Sequence, residues 1–279
     1  MSHLLDNPDA LEQHMSRVLY EKNRGGHFFS EAEHHRASSS VLVLISPRCH
    51  ENEAFSEPCL ILNKRSQKVR QPGDLCCPGG GVSPRADALF SKFLTLPGFP
   101  LFRWPYLRDF REWEPRRAAR MTFLLATGLR EGLEEMGLNP LRVRFLGALP
   151  PQHLRMFRRV IYPMLVWVPR QTRFVTNWEV DKIVRIPLRH FLNHDAYACY
   201  RLRFSPYIQK KIGRETDDFP CFLHKSRDEE EMLWGATYRI VSTFLELVLG
   251  FETPDTPSLP VISGVLDRAY VSGSRQRIS

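Results

Sequence analysis

Short runs of consecutive apolar residues recur along the chain and predict buried β-strands. Residues 41–46 (V-L-V-L-I-S) and 59–63 (C-L-I-L-N) are the first two, and both are too short for a typical helix. Residues 143–150 and 159–168 continue the pattern, and residues 183–187 add a shorter run. The chain therefore predicts several strands that contribute to one apolar core.

Helical signals fall between and around these runs. Asn7 before Pro8 is typical of a helix N-cap and first position, and it predicts a helix to about residue 19. We expect a second helix from about residues 116–119 to Met136, and a single helical turn at residues 188–193. A long helix is predicted over residues 229–249, where an apolar stripe recurs at helical spacing. Its members are Leu233, Ala236, Ile240, Phe244 and Leu247.

Three carboxylates share one face of the second predicted helix. Residues 130–138 read R-E-G-L-E-E-M-G-L, so Glu131, Glu134 and Glu135 stand at i, i+3 and i+4. Like charges at this spacing repel one another and should raise at least one carboxyl pKa. A divalent cation such as Mg²⁺ or Mn²⁺ prefers oxygen ligands and would relieve the repulsion. A solvated acidic face is the alternative interpretation.

Overall composition is that of an ordinary globular protein, and it argues against a membrane protein. The chain has 279 residues, of which 43% are hydrophobic and 25% charged, and no apolar run reaches the length of a membrane span. The first residues lack a basic-then-apolar signal pattern, and the six cysteines form no C-x-x-C pair. We therefore expect a cytoplasmic protein with reduced, buried thiols.

Positive charge is concentrated ahead of the acidic helix. The net charge is +8, and residues 103–120 contain six arginines: Arg103, Arg108, Arg111, Arg116, Arg117 and Arg120. Residues 96–106 alternate prolines with aromatic residues, which argues against regular structure but requires cover for the rings. An ordered lid and a core-packing loop both stay open. The arginines predict either a solvated basic loop or contacts with substrate phosphates.

With these segments in view, the chain resembles the Nudix hydrolase family. R-E-G-L-E-E-M-G-L is similar to the second half of the Nudix box, G-x5-E-x7-R-E-U-x-E-E-x-G-U, where U is aliphatic. Residues 62–66 (L-N-K-R-S) and 73–80 (G-D-L-C-C-P-G-G) resemble the strand and glycine turn that lead into the box. The run K-R-S-x-x-V-R-x-x-G-D-x-x-x-P-G-G is similar to the coenzyme A pyrophosphatase branch. So are N-W-E-V at residues 177–180 and W-G-A-T at residues 234–237.

The family resemblance implies an α/β fold, the Nudix α/β/α sandwich with a mixed β-sheet. To this we add an inserted proline- and aromatic-rich flap and extra terminal helices. We expect a single Nudix-like domain over residues 1–279. Its core would span about 38–250, its insertion about 82–119 and its C-terminal tail 253–279.

Three departures from the box pattern stand out. Arg130 follows Gly80 by 50 positions where the pattern has 14, which implies an insertion of 36 residues. The first box glutamate is missing: counting back from Arg130 gives Thr122, and counting forward gives Ala86 from Gly80, or Asp87 if Gly81 is the box glycine. The aliphatic position after R-E is a glycine, which costs a helix about 1 kcal/mol relative to alanine. The histidine that the coenzyme A branch has shortly before G-D is also absent.

By resemblance, the carboxylates would hold the metal of a diphosphate hydrolase. Glu131, Glu134 and Glu135, with a backbone carbonyl at Gly80, would bind Mg²⁺ or Mn²⁺. Arg130 would fix one of these carboxylates by a charge-assisted hydrogen bond.

The remaining expected roles are proton transfer and substrate binding. Glu179, or a member of the cluster such as Glu134, would take the proton from water. Four arginines would bind the phosphates of a small-molecule substrate: Arg65, Arg70, Arg108 and Arg111.

Two alternatives stay open beside the hydrolase. One is a catalytically weakened Nudix domain that binds a nucleotide or RNA, which the missing box glutamate favours and the intact R-E-x-x-E-E disfavours. The other is a basic nucleic-acid-binding protein, for which the chain offers no recognisable motif. Nucleic acid is therefore the less favoured partner. The sequence does not specify the substrate or the oligomeric state.

Overall fold

Most of the chain folds into regular elements. A computed structural model describes residues 2–25, 38–49, 57–154, 159–226, 229–268 and 270. The helices are α1 (Ser2–Leu5), α2 (Pro8–Gly25), α3 (Pro84–Phe93), α4 (Leu107–Trp113), α5 (Pro115–Met136), α6 (Pro206–Ile212) and α7 (Gly235–Leu249). The strands are β1 (Ser38–Ser46), β2 (Cys59–Arg65), β3 (Leu75–Cys76), β4 (Gly79–Gly81), β5 (Arg144–Ala148), β6 (Gln152–Leu154), β7 (Arg159–Trp167), β8 (Val180–Pro187), β9 (Tyr197–Phe204), β10 (Thr216–Lys225), β11 (Glu230–Trp234) and β12 (Val261–Leu266).

Two mixed sheets organise these strands. The larger has the order β3-β2-β1-β7-β5, with β4 paired to β1, β6 to β7 and β8 to β2. Its central pair, β1 and β7, is parallel, while the neighbouring pairs are antiparallel. The smaller sheet has the order β11-β10-β9-β12, and β12 runs parallel to β9. The mixed sheet expected from the sequence is confirmed.

Helices cover both faces of the larger sheet. Successive β1 side chains alternate in direction, so Val43 and Ile45 join one apolar cluster and Leu42 and Leu44 join another. The first cluster includes the apolar face of α7, and the second includes that of α5. This arrangement is the predicted α/β/α sandwich. No described helix combines the length and the apolar character that crossing a membrane requires.

Several predicted elements are confirmed with small shifts at their ends. The Ala10 N–H donates to Asn7 Oδ1 at 3.1 Å, so Asn7 caps α2, which continues to Gly25 rather than stopping near residue 19. The helical turn at 188–193 forms as the 3₁₀ helix Leu188–Leu192. All six cysteines are free; five are buried and Cys76 is half-buried.

The single helix predicted over residues 229–249 is wrong in its first part. Strand β11 occupies Glu230–Trp234, and α7 begins only at Gly235, whose φ of +66° interrupts any helix. Glu231 is buried and forms ion pairs with Lys64 at 2.9 Å and Lys182 at 2.7 Å. These contacts between distant parts of the chain favour the strand over the helix that the apolar stripe predicts.

The proline- and aromatic-rich segment of residues 96–106 packs into the core. Trp104 is buried, its Nε1 donates to Ser16 Oγ at 3.2 Å, and its ring meets Phe110 edge-on. Tyr106 stacks on Tyr20 of α2 with ring centroids 4.1 Å apart. Of the two open interpretations, the core-packing segment is therefore the one that the aromatic contacts support.

The predicted C-terminal tail contains a β-strand. Residues 261–266 form β12 and extend the smaller sheet along β9. Tyr270 contacts Asp74, to which its hydroxyl donates a hydrogen bond, and the Tyr270 carbonyl accepts from the Gln71 N–H at 2.9 Å. The predicted tail also includes residues 269 and 271–279, which lie outside the described part of the chain.

Candidate active site

Helix α5 lies close to β1 because glycine faces the sheet. A Cβ at Gly128 would stand 2.6 Å from Leu42 Cδ2, and one at Gly132 would stand 3.2 Å from Leu42 Cδ1. Gly132, which departs from the aliphatic box position, thus permits a close approach of helix and strand. Gly137 ends α5 in the left-handed conformation with φ of +64°, as expected for a C′ glycine.

This close approach brings Glu135 to the strands. Its Oε2 accepts a hydrogen bond from Asn63 Nδ2 at 2.9 Å and one from the Gly79 N–H at 3.3 Å. Burial raises the pKa of Glu135 to about 7, and the charges of Glu131 and Glu179 add to the effect. The expectation that clustering raises at least one carboxyl pKa is therefore supported, with burial as the larger cause.

Glu131 faces the glycines of strand β4, at the place where the sequence predicts a glycine turn. A Cβ at Gly80 would lie 2.5 Å from the Glu131 carboxyl carbon, so a side chain there would displace this carboxylate. Glu131 Oε1 accepts from Arg130 Nη2 at 2.8 Å. Burial raises the pKa of Glu131, while the Arg130 charge opposes that rise. Glu131 and Glu135 thus approach adjacent residues of β4.

Arg130 joins the acidic helix to α3. Its Nε donates to Asp87 Oδ1 at 2.7 Å, and its terminal nitrogens contact Glu131, Glu134 and the Gly81 carbonyl. Asp87 is fully buried and also accepts from the Ser83 N–H at 2.6 Å and Thr127 Oγ1 at 2.8 Å. Arg130 is therefore held by carboxylates from two helices.

Asp87 is the one of the three positions counted for the missing box glutamate that pairs with Arg130. A carboxylate does stand opposite Arg130, at the position counted forward from Gly81, and neither Thr122 nor Ala86 takes this place. The Thr122 hydroxyl instead donates to the Ala118 carbonyl within α5. Distance in sequence hid this relationship, because Asp87 and Arg130 are 43 positions apart.

The other expected catalytic residues lie near the cluster. Glu134 is the most exposed of the three carboxylates, at 55% for its side chain, and contacts Arg130 at 3.2 Å. The Glu179 carbonyl accepts from the Ser66 N–H at 2.8 Å, and its neighbour Asn177 donates its N–H to the Glu135 carbonyl at 2.9 Å. The first bond joins the segment before β8 to the residue that follows β2, and the second joins it to the end of α5.

The four expected substrate-binding arginines divide into two groups. Arg65 lies close enough for its charge to lower the pKa of Glu135, and its Nε donates to the Arg70 carbonyl at 2.7 Å. Arg108 and Arg111 lie on α4, and Arg108 pairs with Glu112 at 3.0 Å. No described contact joins either α4 arginine to a site carboxylate. The structure brings only the first pair toward the cluster.

Asn63 is a site residue to which the sequence assigned no role. It is fully buried, and its Oδ1 has no hydrogen-bond partner among the described residues. An amide at the end of the apolar run C-L-I-L-N was the available signal, because a buried polar residue needs a partner.

Oxygen chemistry at the cluster suits a hard divalent cation. Glu131 and Glu135 approach Gly80 and Gly79 of β4, and the unpartnered Asn63 Oδ1 lies beside them. Among the residues that the structure describes, no three His, Cys, Asp or Glu side chains form a complete ligand set. Mg²⁺ commonly binds one or two carboxylates and completes its shell with water and substrate phosphates. The donors therefore fit such an ion in kind.

Comparison with known proteins agrees with this geometry. Over 211 residues the chain is 25% identical to the uncharacterized Nudix hydrolase NudL of Pectobacterium atrosepticum, covering 75% of this chain and 81% of NudL. This similarity supports the Nudix hydrolase family. No family model matches the chain.

Solved structures give weaker matches. A Nudix hydrolase from Alicyclobacillus acidocaldarius aligns with a TM-score of 0.42 and 15% identity, over 78% of this chain and 93% of that one. One from Nitrosomonas europaea aligns with a TM-score of 0.38 and 10% identity, over 84% and 82% of the respective chains. The elements described above form an α/β fold with mixed sheets.

Proposed function

We propose that this chain is a metal-dependent Nudix pyrophosphohydrolase. Its substrate would be a nucleoside diphosphate linked to another moiety, with coenzyme A or a related nucleotide as the nearest candidate. The observation that carries the proposal is that Glu131 and Glu135 both lie against the glycines of β4, at Gly80 and Gly79 respectively. The similarity to NudL supports the same class of reaction.

Cleavage of a diphosphate depends mainly on positioning and on charge neutralisation. Glu131 and Glu135, with Glu134 and the Gly80 carbonyl, would hold Mg²⁺ or Mn²⁺. Such an ion neutralises phosphate charge and lowers the pKa of a bound water. Asn63 and the Gly79 N–H orient the Glu135 carboxylate at 2.9 and 3.3 Å.

Proton transfer and substrate positioning fall to the residues around the cluster. Glu179, near Glu135, would accept the proton of the attacking water, with Glu134 as the other candidate base. Arg130 holds Glu131 through its 2.8 Å hydrogen bond and is itself fixed by Asp87. Arg65 and Arg70 would contact the substrate phosphates, because a guanidinium group matches phosphate geometry.

Asp87 bears directly on the weakened-domain alternative. That alternative rested on the missing first box glutamate, and Asp87, the position counted forward from Gly81, is a carboxylate that pairs with Arg130 at 2.7 Å. The hydrolase is therefore the better supported function.

A substrate screen tests the proposal. Nucleoside diphosphate derivatives, coenzyme A among them, would be incubated with the protein and either Mg²⁺ or Mn²⁺, and the products would be identified by mass. We expect cleavage of the diphosphate bond, which leaves one of its two phosphates on each of two products. Binding of these compounds without cleavage under any metal condition would favour the weakened-domain alternative.

A further inference from the structure

A second candidate binding site lies at the opposite edge of the larger sheet. A cleft of about 490 Å³ opens there, lined by Arg103, Leu141, Arg142, Arg144, Pro169 and Arg170. Arg144 begins the edge strand β5, and strands β1 and β7 stand between it and β2, which carries Asn63. None of the site carboxylates lines this cleft. It is therefore distinct from the candidate active site.

The charged residues that line the cleft are all positive. Four of its six lining residues are arginines, and Arg144 pairs with Glu12 at 2.8 Å. No carboxylate of the described residues pairs with Arg103, Arg142 or Arg170. Positively charged side chains that line one cleft without counter-charges produce a positive potential there, which attracts an anion. The cleft as it stands thus favours an anionic ligand.

Three separate chain segments supply the arginines. Arg103 lies between α3 and α4 and donates from Nη1 to the Leu141 carbonyl at 3.3 Å. Arg142 ends the short 3₁₀ helix before β5, and Arg170 follows β7. The positive charge of the cleft is therefore produced by the fold, since no single basic stretch of the sequence contains all four arginines.

The cleft has the size of a small-molecule site. Its volume falls within the range of about 300–1,000 Å³ that is typical of ligand pockets. Arginine binds phosphate oxygens through two parallel hydrogen bonds, so several arginines match several linked phosphates. We propose that this cleft binds an anion with two or more linked phosphate groups, either a nucleotide or inorganic polyphosphate. Its concave shape favours a compact ligand over a long nucleic-acid strand.

Calorimetric titration of the full-length protein tests this proposal. The probes are tripolyphosphate and ATP, added in EDTA so that divalent ions do not recruit phosphate to the carboxylates. Arg142→Gln and Arg170→Gln should each weaken binding at least about tenfold, through loss of a charge-assisted contact. Arg214→Gln is the matched control, because it removes one positive charge from an exposed arginine that pairs with Asp217 elsewhere.

The two probes also separate the ligand sources. Tighter binding of ATP would assign the cleft to nucleotides, and equal or tighter binding of tripolyphosphate would assign it to inorganic polyphosphate; both support the proposal. Glu135→Gln should bind both probes as the wild type does, so failure here is distinguishable from failure of the proposed hydrolysis.

Three results would overturn the proposal. They are wild-type affinity in both cleft variants, an equal loss in Arg214→Gln, and binding of single-stranded RNA with no measurable binding of either probe. Thermal unfolding guards against misfolded variants. The cleft variants should unfold at or above the wild-type temperature without probe, because a repelling charge is removed, and tripolyphosphate should stabilise them less than the wild type.

Discussion

Asn63 donates a hydrogen bond to Glu135 across 72 residues of sequence, joining strand β2 to the acidic end of α5. Asn63 is fully buried and Glu135 is half-buried, and Glu135 also accepts from the Gly79 N–H. This contact holds the Glu135 carboxylate against β4, at the place where the proposed metal ion would bind.

Removing the Asn63 amide should therefore harm activity more than stability alone explains. Asn63→Ala leaves Glu135 with one fewer donor, and we expect hydrolysis to fall about 10- to 100-fold, as for other residues that orient metal-binding groups. The free energy of unfolding should fall by about 1–3 kcal/mol. Asn23→Ala is the control, because Asn23 is also buried and donates to the Leu19 and Ala148 carbonyls away from the site. Equal activity in the two variants, after correction for folded fraction, would contradict the orienting role.

Asp87 should be needed for both stability and activity. Asp87→Asn removes the charge that pairs with Arg130, and breaking such a buried pair should cost about 3 kcal/mol of unfolding free energy. Chemical denaturation measures this cost, and kcat should fall because Arg130 no longer holds Glu131 in place. Asp218→Asn breaks an exposed pair with Arg201 and should change little. If Asp87→Asn matches that control in both measurements, the Arg130 bridge has no structural role.

Stability of the metal-free protein should depend on pH through Glu135. Burial raises the pKa of this carboxyl from an ordinary 4.5 to about 7. The folded state therefore binds a proton more tightly than the unfolded state, so the stability contribution is full below pH 4.5 and is lost as the pH rises through 7. Thermal unfolding in EDTA should show that Glu135→Gln is more stable than the wild type at about pH 8.5, with a smaller difference at about pH 5. A difference that does not change with pH would contradict a raised pKa.

The sequence predicts some of these features and conceals others for identifiable reasons. The trio Glu131, Glu134 and Glu135 is local, since helical periodicity alone places it on one face. The partnership of Asp87 with Arg130 depends on how the chain folds between two residues that are 43 positions apart. Composition alone did not predict that Trp104 would be buried against Ser16, or that Arg103 would reach Leu141. Strand β11 was missed because its buried Glu231 pairs with Lys64 and Lys182, which lie far away in sequence.

The central claim is metal-assisted hydrolysis at the carboxylate cluster, and one comparison tests it most directly. The rate of diphosphate cleavage on the best substrate would be measured for the wild type and Glu135→Gln, with Mg²⁺ or Mn²⁺ and again with excess EDTA. We predict a loss of at least about 100-fold in the variant, and a similar loss in the wild type when the metal is removed. Turnover that survives both the substitution and EDTA would contradict the assignment.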